Sequence, residues 1–479
     1  MVNAQKETGM KDSNAHSSLK IGLMSLAHAT YWKYFPQHEK PALELGKKFS
    51  NFLSKFGTVY ETGRLIDCVP RASEARMLFQ TEDVDVIVLA TATYSTPDDI
   101  ILDLKRFVRP VVVWNTQKSP SIPKDLDFDK WMFEHGITGV PGITNLMERE
   151  GMPYFLVSGH YTDESVSHAF NTIFKAVAAF KRIWGAKLGM IGHLYPGMID
   201  FGYDPTTMYT TFGAATKPIL ENVIMNAFNS IDEKDVKSLA EKLGNTYAKA
   251  DDFEEEEFTQ SVRTALAMKR IVAENELDAV TVYCQSLWQR PEIGVVPCIG
   301  MSLLMQEGVF CSCEGDVPTT LSGLILESIS GKALFTEIWC NDFDHDQFMM
   351  GHSGTMNLGL FEENTGDVKM VRHPWWTGCC GRGACLEVKM PRGKGTMLNL
   401  SQAQGARWRM IVSSVEVVDR DPVPLGAPNF FVKLNKPIKQ YLEELAALGA
   451  AHHFSMAYGD WTPHLQALAK ILNVEYTFV

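Results

Sequence analysis

The chain has 479 residues, which at roughly 100–200 residues per domain is enough for two to four domains with their own cores. Lysine and arginine number 45 and aspartate and glutamate 57, so the net charge is −12. A chain this acidic has no general attraction for nucleic acid or for an anionic membrane. The polar block Asn3–Lys20 lacks the apolar run of a secretory signal, and no later apolar run reaches about 18 residues. We therefore expect a cytoplasmic protein that contacts neither nucleic acid nor membrane.

Nine cysteines are present, and an odd number without a secretory signal favours reduced thiols over a disulfide framework. Their clustering towards the C-terminus, at Cys311 and Cys313 and at Cys379, Cys380 and Cys385, raises the question of a zinc site. Zinc sites use paired cysteines with two to four residues between them. Only the last two of these cysteines have such a spacing, and they have no partner pair, so structural zinc is disfavoured.

The amino-terminal third predicts a disordered tail over residues 1–19 and a Rossmann-like domain over residues 20–165. Short apolar runs of strand type alternate with stretches of helical spacing, which is the pattern of right-handed βαβ units and a parallel sheet. Strands are predicted at 21–26, 58–60, 83–90, 110–114 and 154–157, and helices at 39–56 and 164–184.

The same alternation predicts a second Rossmann-like domain over residues 166–335, with strands at 187–192 and 279–283 and helices at 259–276 and near 302–306. The pattern then changes to short strands separated by turn residues, which predicts a β-rich, mostly antiparallel and barrel-like domain over residues 336–479. Its strands are expected at 368–372, 385–390, 396–400, 407–412 and 474–478, and its helices at 438–448 and 464–472. The predicted fold class is α/β, with two consecutive parallel-sheet domains and a C-terminal barrel.

Several common catalytic and phosphate-binding motifs are missing from the sequence. It contains neither a G-x-x-x-x-G-K-[ST] loop nor a G-x-G-x-x-G segment after the first predicted strand, so the α/β domains give no indication of a nucleotide. A G-x-S-x-G segment is also missing, which weakens a hydrolase of that class.

Four polar residues stand where polarity is costly or where a strand meets a turn. Glu314 follows an apolar run and precedes a helix, at the kind of strand end where open α/β sheets bind ligands. Glu337 interrupts an apolar strand, His352 lies between small residues, and His453 belongs to the His452-His453 pair after a predicted helix. Two carboxylates and one or two imidazoles suit Mn²⁺, Mg²⁺ or another divalent ion. Plainer explanations stay open, since a strand glutamate is often an internal ion-pair partner and a core histidine is usually only hydrogen-bonded.

A competing metal loop is the segment Asn341–Asp346, whose carboxylates have a spacing similar to that of a calcium loop. The segment lacks the glycine and the downstream glutamate of an EF-hand. An exposed acidic turn is the favoured interpretation.

The chain resembles the metal-dependent L-arabinose isomerase and L-fucose isomerase superfamily over nearly its whole length. The resemblance rests on segments that occur in the order of the family, none of which is specific alone. They are Tyr31–Pro36, Val113–Gln117, His135-Gly136, Val157–His160, Leu303–Phe310, Glu314–Asp316, Glu337, His352 and His453. Tyr161–Asp163 and Val317 stand where arabinose isomerases usually have tryptophan, so the sugar stays open.

The resemblance implies an enzyme that interconverts an open-chain aldose and its ketose. A divalent ion, typically Mn²⁺ but also Co²⁺ or Mg²⁺, would be bound by Glu314, Glu337, His352 and His453 and would chelate the sugar's carbonyl and adjacent hydroxyl oxygens. The two glutamates would also move the proton between C1 and C2 through a cis-enediol. The sugar would be of the L-arabinose or L-fucose type, or a deoxy or sulfonated hexose.

The resemblance also implies sugar-binding residues and an oligomer. Gln285 and Asp316 would support the metal ligands or bind sugar hydroxyls, and His452 would bind the sugar. Members of the family are homotrimers or homohexamers with sites between subunits, so Gln117 and His135 would reach the metal site of a neighbouring subunit.

Two other classes of function stay open at this point. A metal-dependent lyase or aldolase acting on a sugar acid could use the same ligands. A non-catalytic sugar-binding protein would need no metal ligands and would usually carry an export signal.

Overall fold

A computed structural model of the protein describes residues 19–251, 253–374 and 381–479. Within this part the chain divides into two compact units, residues 19–181 and residues 182–479. The predicted disordered tail lies outside the described residues except for Leu19, which begins the first strand. The domain limits expected from the sequence stay predictions.

The unit of residues 19–181 is built on a five-stranded parallel sheet in the order β2-β1-β3-β4-β5. Its strands are β1 (Leu19–Leu26), β2 (Gly57–Tyr60), β3 (Val86–Thr91), β4 (Val111–Asn115) and β5 (Tyr154–Ser158). Its helices are α1 (Ala29–Tyr34), α2 (Glu39–Leu53), α3 (Val69–Glu82), α4 (Ile101–Arg106), α5 (Phe128–Glu134), α6 (Gly139–Arg149) and α7 (Glu164–Ile183), whose last residues belong to the other unit. Every residue of β3 is buried, as expected for a central parallel strand with helices on both faces.

The unit of residues 182–479 begins with a four-stranded parallel sheet in the order β10-β9-β6-β7. The strands of this region are β6 (Lys187–Ile191), β7 (Ala215–Ile219), β8 (Ala248–Lys249), β9 (Ala279–Val282) and β10 (Phe310–Cys313). The helices are α8 (Pro205–Phe212), α9 (Glu221–Asn229), α10 (Glu233–Thr246), α11 (Glu255–Asn275), α12 (Gln285–Trp288), α13 (Cys298–Gln306) and α14 (Val317–Ser330). Strand β7 pairs only with β6, and this edge position tolerates Pro218.

The rest of this unit is β-rich. Its strands are β11 (Leu334–Asp342), β12 (Gln347–Gly351), β13 (Val368–Arg372), β14 (Ala384–Val388), β15 (Gly393–Ala403), β16 (Arg407–Val417), β17 (Asn429–Lys433), β18 (His453–Tyr458) and β19 (Glu475–Phe478). Its helices are α15 (Ile438–Leu448) and α16 (Thr462–Leu472). Strands β13 and β14 form a small sheet with β8.

The largest sheet closes on itself. Its order is β15-β18-β11-β12-β17-β16-β19, and β15 also pairs with β16 over the whole length of both strands, which makes a barrel of six antiparallel strands. Strand β19 adds to β16 in parallel. Large apolar side chains such as Phe335 and Phe348 are fully buried in this region. The predicted fold, parallel α/β sheets followed by a barrel-like β domain, is confirmed.

The barrel shows where the acidic segment lies. The acidic segment Asn341–Asp346 begins in β11 and ends in the hairpin turn that leads to β12, with Asp342 bound by Arg420 and His345. The favoured interpretation as an acidic turn is therefore confirmed.

Cys68, Cys311 and Cys340 are thiols, whereas Cys379 and Cys380 lie outside the described residues. Across the described ranges, no helix combines the length and apolarity that crossing a membrane requires.

Candidate metal centre

Glu314 stands at the carboxyl edge of the second parallel sheet, immediately after β10. Its backbone N–H donates to the carbonyl of Val282, the last residue of β9, at 2.8 Å. Its φ of 64° is left-handed, and Gly315 follows with a φ of 77°. A Cβ on Gly315 would lie 2.4 Å from the carbonyl oxygen of His193, so only glycine fits there. This tight turn fixes Glu314 at the edge where α/β sheets bind their ligands.

Three of the predicted ligands are neighbours through the register of the barrel. Glu337 in β11 pairs directly with His453 in β18 on one side and with Gly351 in β12 on the other. Directly opposite residues of antiparallel strands place their side chains on the same face. His352 follows Gly351 immediately, so the register brings Glu337, His352 and His453 together.

The ligand atoms of these side chains form two overlapping groups. Those of Glu337, His352 and His453 all lie within 4.8 Å of one another, and so do those of Glu314, His452 and His453. His453 belongs to both groups. The four metal ligands expected from the sequence are therefore gathered around one histidine.

Two imidazole nitrogens of this group fit a bound cation. His453 is 0% exposed and His352 is 3% exposed. Among the described residues, Nδ1 of His352 has no hydrogen-bond partner, and Nε2 of His453 has an ion-pair contact with Oε2 of Glu314 at 3.2 Å but no hydrogen bond of good geometry. A buried polar atom without a good hydrogen bond costs on the order of 1–3 kcal/mol, so both nitrogens would be satisfied by an ion. Two carboxylates with two imidazoles suit a divalent ion such as Mn²⁺ or Co²⁺.

Asp316 holds His453 from the side opposite to Glu314. The Nδ1–H of His453 donates to Oδ2 of Asp316 at 2.9 Å, while its Nε2 lies 3.2 Å from Oε2 of Glu314. Asp316 is 0% exposed and also caps α14, because its Oδ1 accepts from the N–H of Thr319 at 2.8 Å. Of the two roles expected for Asp316, this geometry fits support of a metal ligand better than binding of a sugar hydroxyl, because both carboxylate oxygens are bonded and the residue is buried.

Aromatic side chains surround and support the ligands. The indole N–H of Trp339 donates to Oε1 of Glu337 at 2.8 Å. The ring of Phe335 lies 4.5 Å from that of His352 and 4.7 Å from that of His453, measured between ring centroids. These contacts limit the rotation of the ligands before any ion binds.

Burial and charge act in opposite directions on the pKa values of the ligands. Burial alone would lower the pKa of His453, but the carboxylates of Asp316 and Glu314 raise it to about 10. Burial alone would raise the pKa of Glu314, but His453 and the neighbouring His352 lower it below its usual value. Burial lowers the pKa of His352, and the charge of Glu337 opposes this only in part. Glu314 is therefore ionised at neutral pH.

His452 and Gln285 stand at the edge of this centre. The side chain of His452 is 37% exposed, and both its Nδ1–H and its backbone N–H donate to Oδ2 of Asp200, at 2.6 and 3.1 Å. Gln285 begins α12, and its Oε1 accepts from the hydroxyl of Tyr283 at 2.5 Å. The ring of Tyr283 packs 4.4 Å from that of His193, at the carboxyl ends of β9 and β6.

Gln117 and His135 belong to the unit of residues 19–181. Gln117 follows β4, and its amide donates to the carbonyl of Ser119 at 2.8 Å. His135 stacks against the rings of Trp131 and Tyr94 at 4.8 and 5.9 Å, and its Nε2 shares a hydrogen bond of 2.8 Å with the hydroxyl of Tyr31. The contribution of Gln117 and His135 to a metal site stays a prediction.

Sequence reasoning missed two residues that hold the site. Trp339 follows Glu337 by two positions, so the period of a strand places both on one face and could have indicated the contact. Asp200 lies 252 residues before its partner His452, in a short 3₁₀ turn, and no pattern in the sequence connects them.

Several known proteins that are similar to this chain are sugar isomerases. Residues 332–475 match the model of the L-arabinose isomerase C-terminal domain. The chain is 24% identical over 398 residues to a sulfoquinovose isomerase of Alkalicoccus urumqiensis, covering 81% of this chain and 85% of that protein. It is 22% identical over 399 residues to a sulfoquinovose isomerase of Priestia aryabhattai, covering 82% and 85%. It is 25% identical over 390 residues to an L-arabinose isomerase of Arthrobacter sp. (strain FB24), covering 78% and 74%.

These similarities support a class of enzyme, that of the sugar isomerases. Within this class, the matched C-terminal domain and the relatives support a relationship to the L-arabinose isomerase superfamily.

Proposed function

We propose that the protein is a metal-dependent aldose–ketose isomerase that acts on an open-chain sugar. The observation that carries the proposal is the arrangement of Glu314, Glu337 and His352 around His453, with Nδ1 of His352 buried and without a hydrogen-bond partner among the described residues. Glu314, Glu337, His352 and His453 would hold Mn²⁺, or Co²⁺ or Mg²⁺ in its place. When bound, the ion supplies Lewis-acid polarisation of the sugar's carbonyl and neighbouring hydroxyl.

The two glutamates move the proton. Isomerisation removes a proton from the carbon beside the carbonyl, forms a cis-enediol and returns the proton to the former carbonyl carbon. A carboxylate can take that proton only when it is ionised, and the lowered pKa of Glu314 meets this condition. The indole N–H of Trp339 donates to Oε1 of Glu337, so we assign the other oxygen, Oε2, to the ion and the sugar. We assign the proton transfer to Glu314 and Glu337.

The sugar chain extends from the metal centre towards the carboxyl edge of the parallel sheet. His452 and Gln285 stand at this edge and carry nitrogen and oxygen atoms that can bind hydroxyl groups. Gln117 and His135 are proposed to complete the site from a neighbouring subunit of a homotrimer or homohexamer.

The names of the similar proteins indicate which sugars are candidate substrates. Relatives that match about four-fifths of the chain are named sulfoquinovose isomerase, and others are named L-arabinose isomerase. We propose a substrate among modified hexoses, sulfonated or deoxy, or sugars of the L-arabinose type. Sulfoquinovose and L-arabinose are therefore the first two sugars to test.

The test is a metal-dependence assay on the whole chain. The protein is stripped with a chelator, reloaded with Mn²⁺, Co²⁺ or Mg²⁺, and incubated with a panel of aldoses in D₂O. We expect ketose formation and deuterium uptake at C1 of the ketose only in reloaded samples, and their loss in Glu314→Gln and Glu337→Gln. The matched control is Glu362→Gln, because Glu362 is exposed and pairs with Lys332 on the surface. Ketose formation that survives complete metal removal would overturn the proposal, and cleavage to shorter aldehydes would assign a lyase instead.

A further inference from the structure

Asp316 uses every oxygen it has inside the protein. Its Oδ1 accepts from the N–H of Thr319 and its Oδ2 from Nδ1–H of His453. Its carbonyl oxygen accepts from the hydroxyls of Thr320 at 2.6 Å and of Ser312 at 2.8 Å. A residue that is 0% exposed and bonded in this way has one fixed position, so whatever it contacts is fixed as well.

The contact with Asp316 decides which nitrogen of His453 carries a lone pair. The carboxylate of Asp316 accepts the hydrogen bond of Nδ1, so when a cation displaces the other proton of the imidazole, the remaining proton stays on Nδ1. The lone pair then lies on Nε2, the nitrogen that stands 3.2 Å from Oε2 of Glu314. Nε2 is also the nitrogen that a cation shared with Glu314 would contact.

The aromatic neighbours of His453 cannot make this choice. Phe201 stacks on its ring at 5.3 Å with an interplanar angle of 26°, and Phe335 packs at 4.7 Å with an angle of 62°. Such contacts hold the plane of the ring but act equally on its two nitrogens. The hydrogen bond to Asp316 distinguishes the two ring nitrogens of His453.

A second contact ties the helix that Asp316 caps to the strand that carries His453. The hydroxyls of Ser322 in α14 and Ser455 in β18 lie 2.9 Å apart, and both side chains are buried. Helix and strand are therefore joined at two points, and the position of Asp316 relative to His453 does not depend on one hydrogen bond alone.

We propose that Asp316 is a positioning residue: it fixes the tautomer and orientation of His453 so that Nε2 binds the divalent ion. The inference rests on the proposed metal centre and deepens it. Asp316 acts on the ion through His453 and touches neither ion nor sugar. Partners of this kind contribute about 10- to 100-fold to metal affinity.

The test compares two substitutions by their Mn²⁺ dissociation constants, measured on the full chain by electron paramagnetic resonance of the unbound ion. Asp316→Asn is isosteric and caps a helix as well as aspartate does, but its amide can donate to Nδ1 and force the proton onto Nε2. Asp316→Ser also caps the helix but is too short to reach His453, so the histidine can adopt either tautomer. We expect Asp316→Asn to weaken Mn²⁺ binding about 10- to 100-fold and Asp316→Ser to weaken it less.

If Asp316 had only a structural role, Asp316→Ser would weaken Mn²⁺ binding more than Asp316→Asn, because asparagine preserves the shape of the side chain and serine does not. The matched control is Asp204→Asn, since Asp204 caps α8 through the N–H of Thr207 at 2.7 Å and should leave the dissociation constant unchanged. Wild-type affinity in Asp316→Asn, or a larger loss in Asp316→Ser, would overturn the inference while leaving the metal centre in place. A wild-type chain that binds no Mn²⁺ would overturn both.

Discussion

Glu337 and His453 face each other in register across β11 and β18, with their side chains on one face of the barrel. The pairing is one of backbone hydrogen bonds, so the strands themselves set the distance between the two functional groups. Gly351 pairs with Glu337 from the other side and places His352 next to them. A ligand group built on sheet register is rigid, since shifting one ligand would require a whole strand to move.

The two overlapping ligand groups make different predictions for their histidines. We expect His352→Asn to raise the Mn²⁺ dissociation constant much more than His452→Asn, because Nδ1 of His352 is buried without a described partner whereas Nδ1 of His452 is already bonded to Asp200. Isothermal titration of the chelator-treated protein measures both. Equal losses would place the ion with Glu314 and His452 as much as with Glu337.

Gly351 is predicted to be irreplaceable at the end of β12. A Cβ there would lie 2.5 Å from the carbonyl oxygen of Pro428 and 2.9 Å from the ring of Trp339, which holds Glu337. We expect Gly351→Ala to cost about 1–3 kcal/mol in the free energy of unfolding and also to weaken Mn²⁺ binding. Urea denaturation gives the first quantity and metal titration the second.

The control for this substitution is Gly244→Ala in α10. An added Cβ at Gly244 meets no atom of the described residues within 4 Å, and alanine favours a helix over glycine by about 0.5–1 kcal/mol. This variant should be slightly more stable and bind Mn²⁺ normally. A Gly351→Ala variant as stable as this control would contradict the packing argument.

Glu327 in α14 is predicted to make stability depend on pH. Burial raises its pKa from 4.5 to about 8, against the opposing charge of Arg182. Between these two values the unfolded chain releases a proton that the folded chain keeps, so the free energy of unfolding falls as pH rises, by up to about 1.4 kcal/mol per pH unit. Glu327→Gln mimics the protonated form and removes this contribution. Urea denaturation between pH 5 and pH 8 should show that the free energy of unfolding of the wild type falls relative to that of the variant as pH rises. Parallel pH profiles of the two proteins would count against the prediction.

Glu257 in the first turn of α11 is expected to be a stability residue. It is 1% exposed and accepts from Arg372 at 2.7 and 2.8 Å and from Arg382 at 2.9 Å. Glu257 is buried, but its partners Arg372 and Arg382 are 35% and 46% exposed. Solvent therefore screens part of the charge that Glu257→Gln leaves unpaired, and we expect a cost of about 1–2 kcal/mol. Thermal unfolding tests this against Glu255→Gln, which alters an exposed carboxylate paired with Lys249. Equal melting temperatures would refute it.

Much of the fold could be predicted from the sequence because parallel strands buried on both faces are continuous apolar runs, as in 86–91 and 279–282. The segment between 205 and 246 was not predicted. It holds three helices of 8 to 14 residues and the edge strand β7, whose residues are mostly not buried and so form no continuous apolar run.

The candidate ligands were predictable for a different reason. A carboxylate inside an apolar strand, such as Glu337, or at the end of one, such as Glu314, is conspicuous because burying charge is costly. The register that joins Glu337 to His453, and the contact of Asp200 with His452, depend on how distant segments meet. Neither follows from local pattern or spacing.

The position of β18 in the barrel has a consequence for the order of assembly. This strand inserts between β15 and β11, although β12 to β17 all precede it along the chain. The hydrogen bond between Asp316 and His453 closes a separation of 137 residues. A growing chain on the ribosome therefore carries Glu314, Glu337 and His352 long before the histidine they share exists. In the proposed metal centre, complete coordination of the ion would therefore come late, after β18 has joined the barrel.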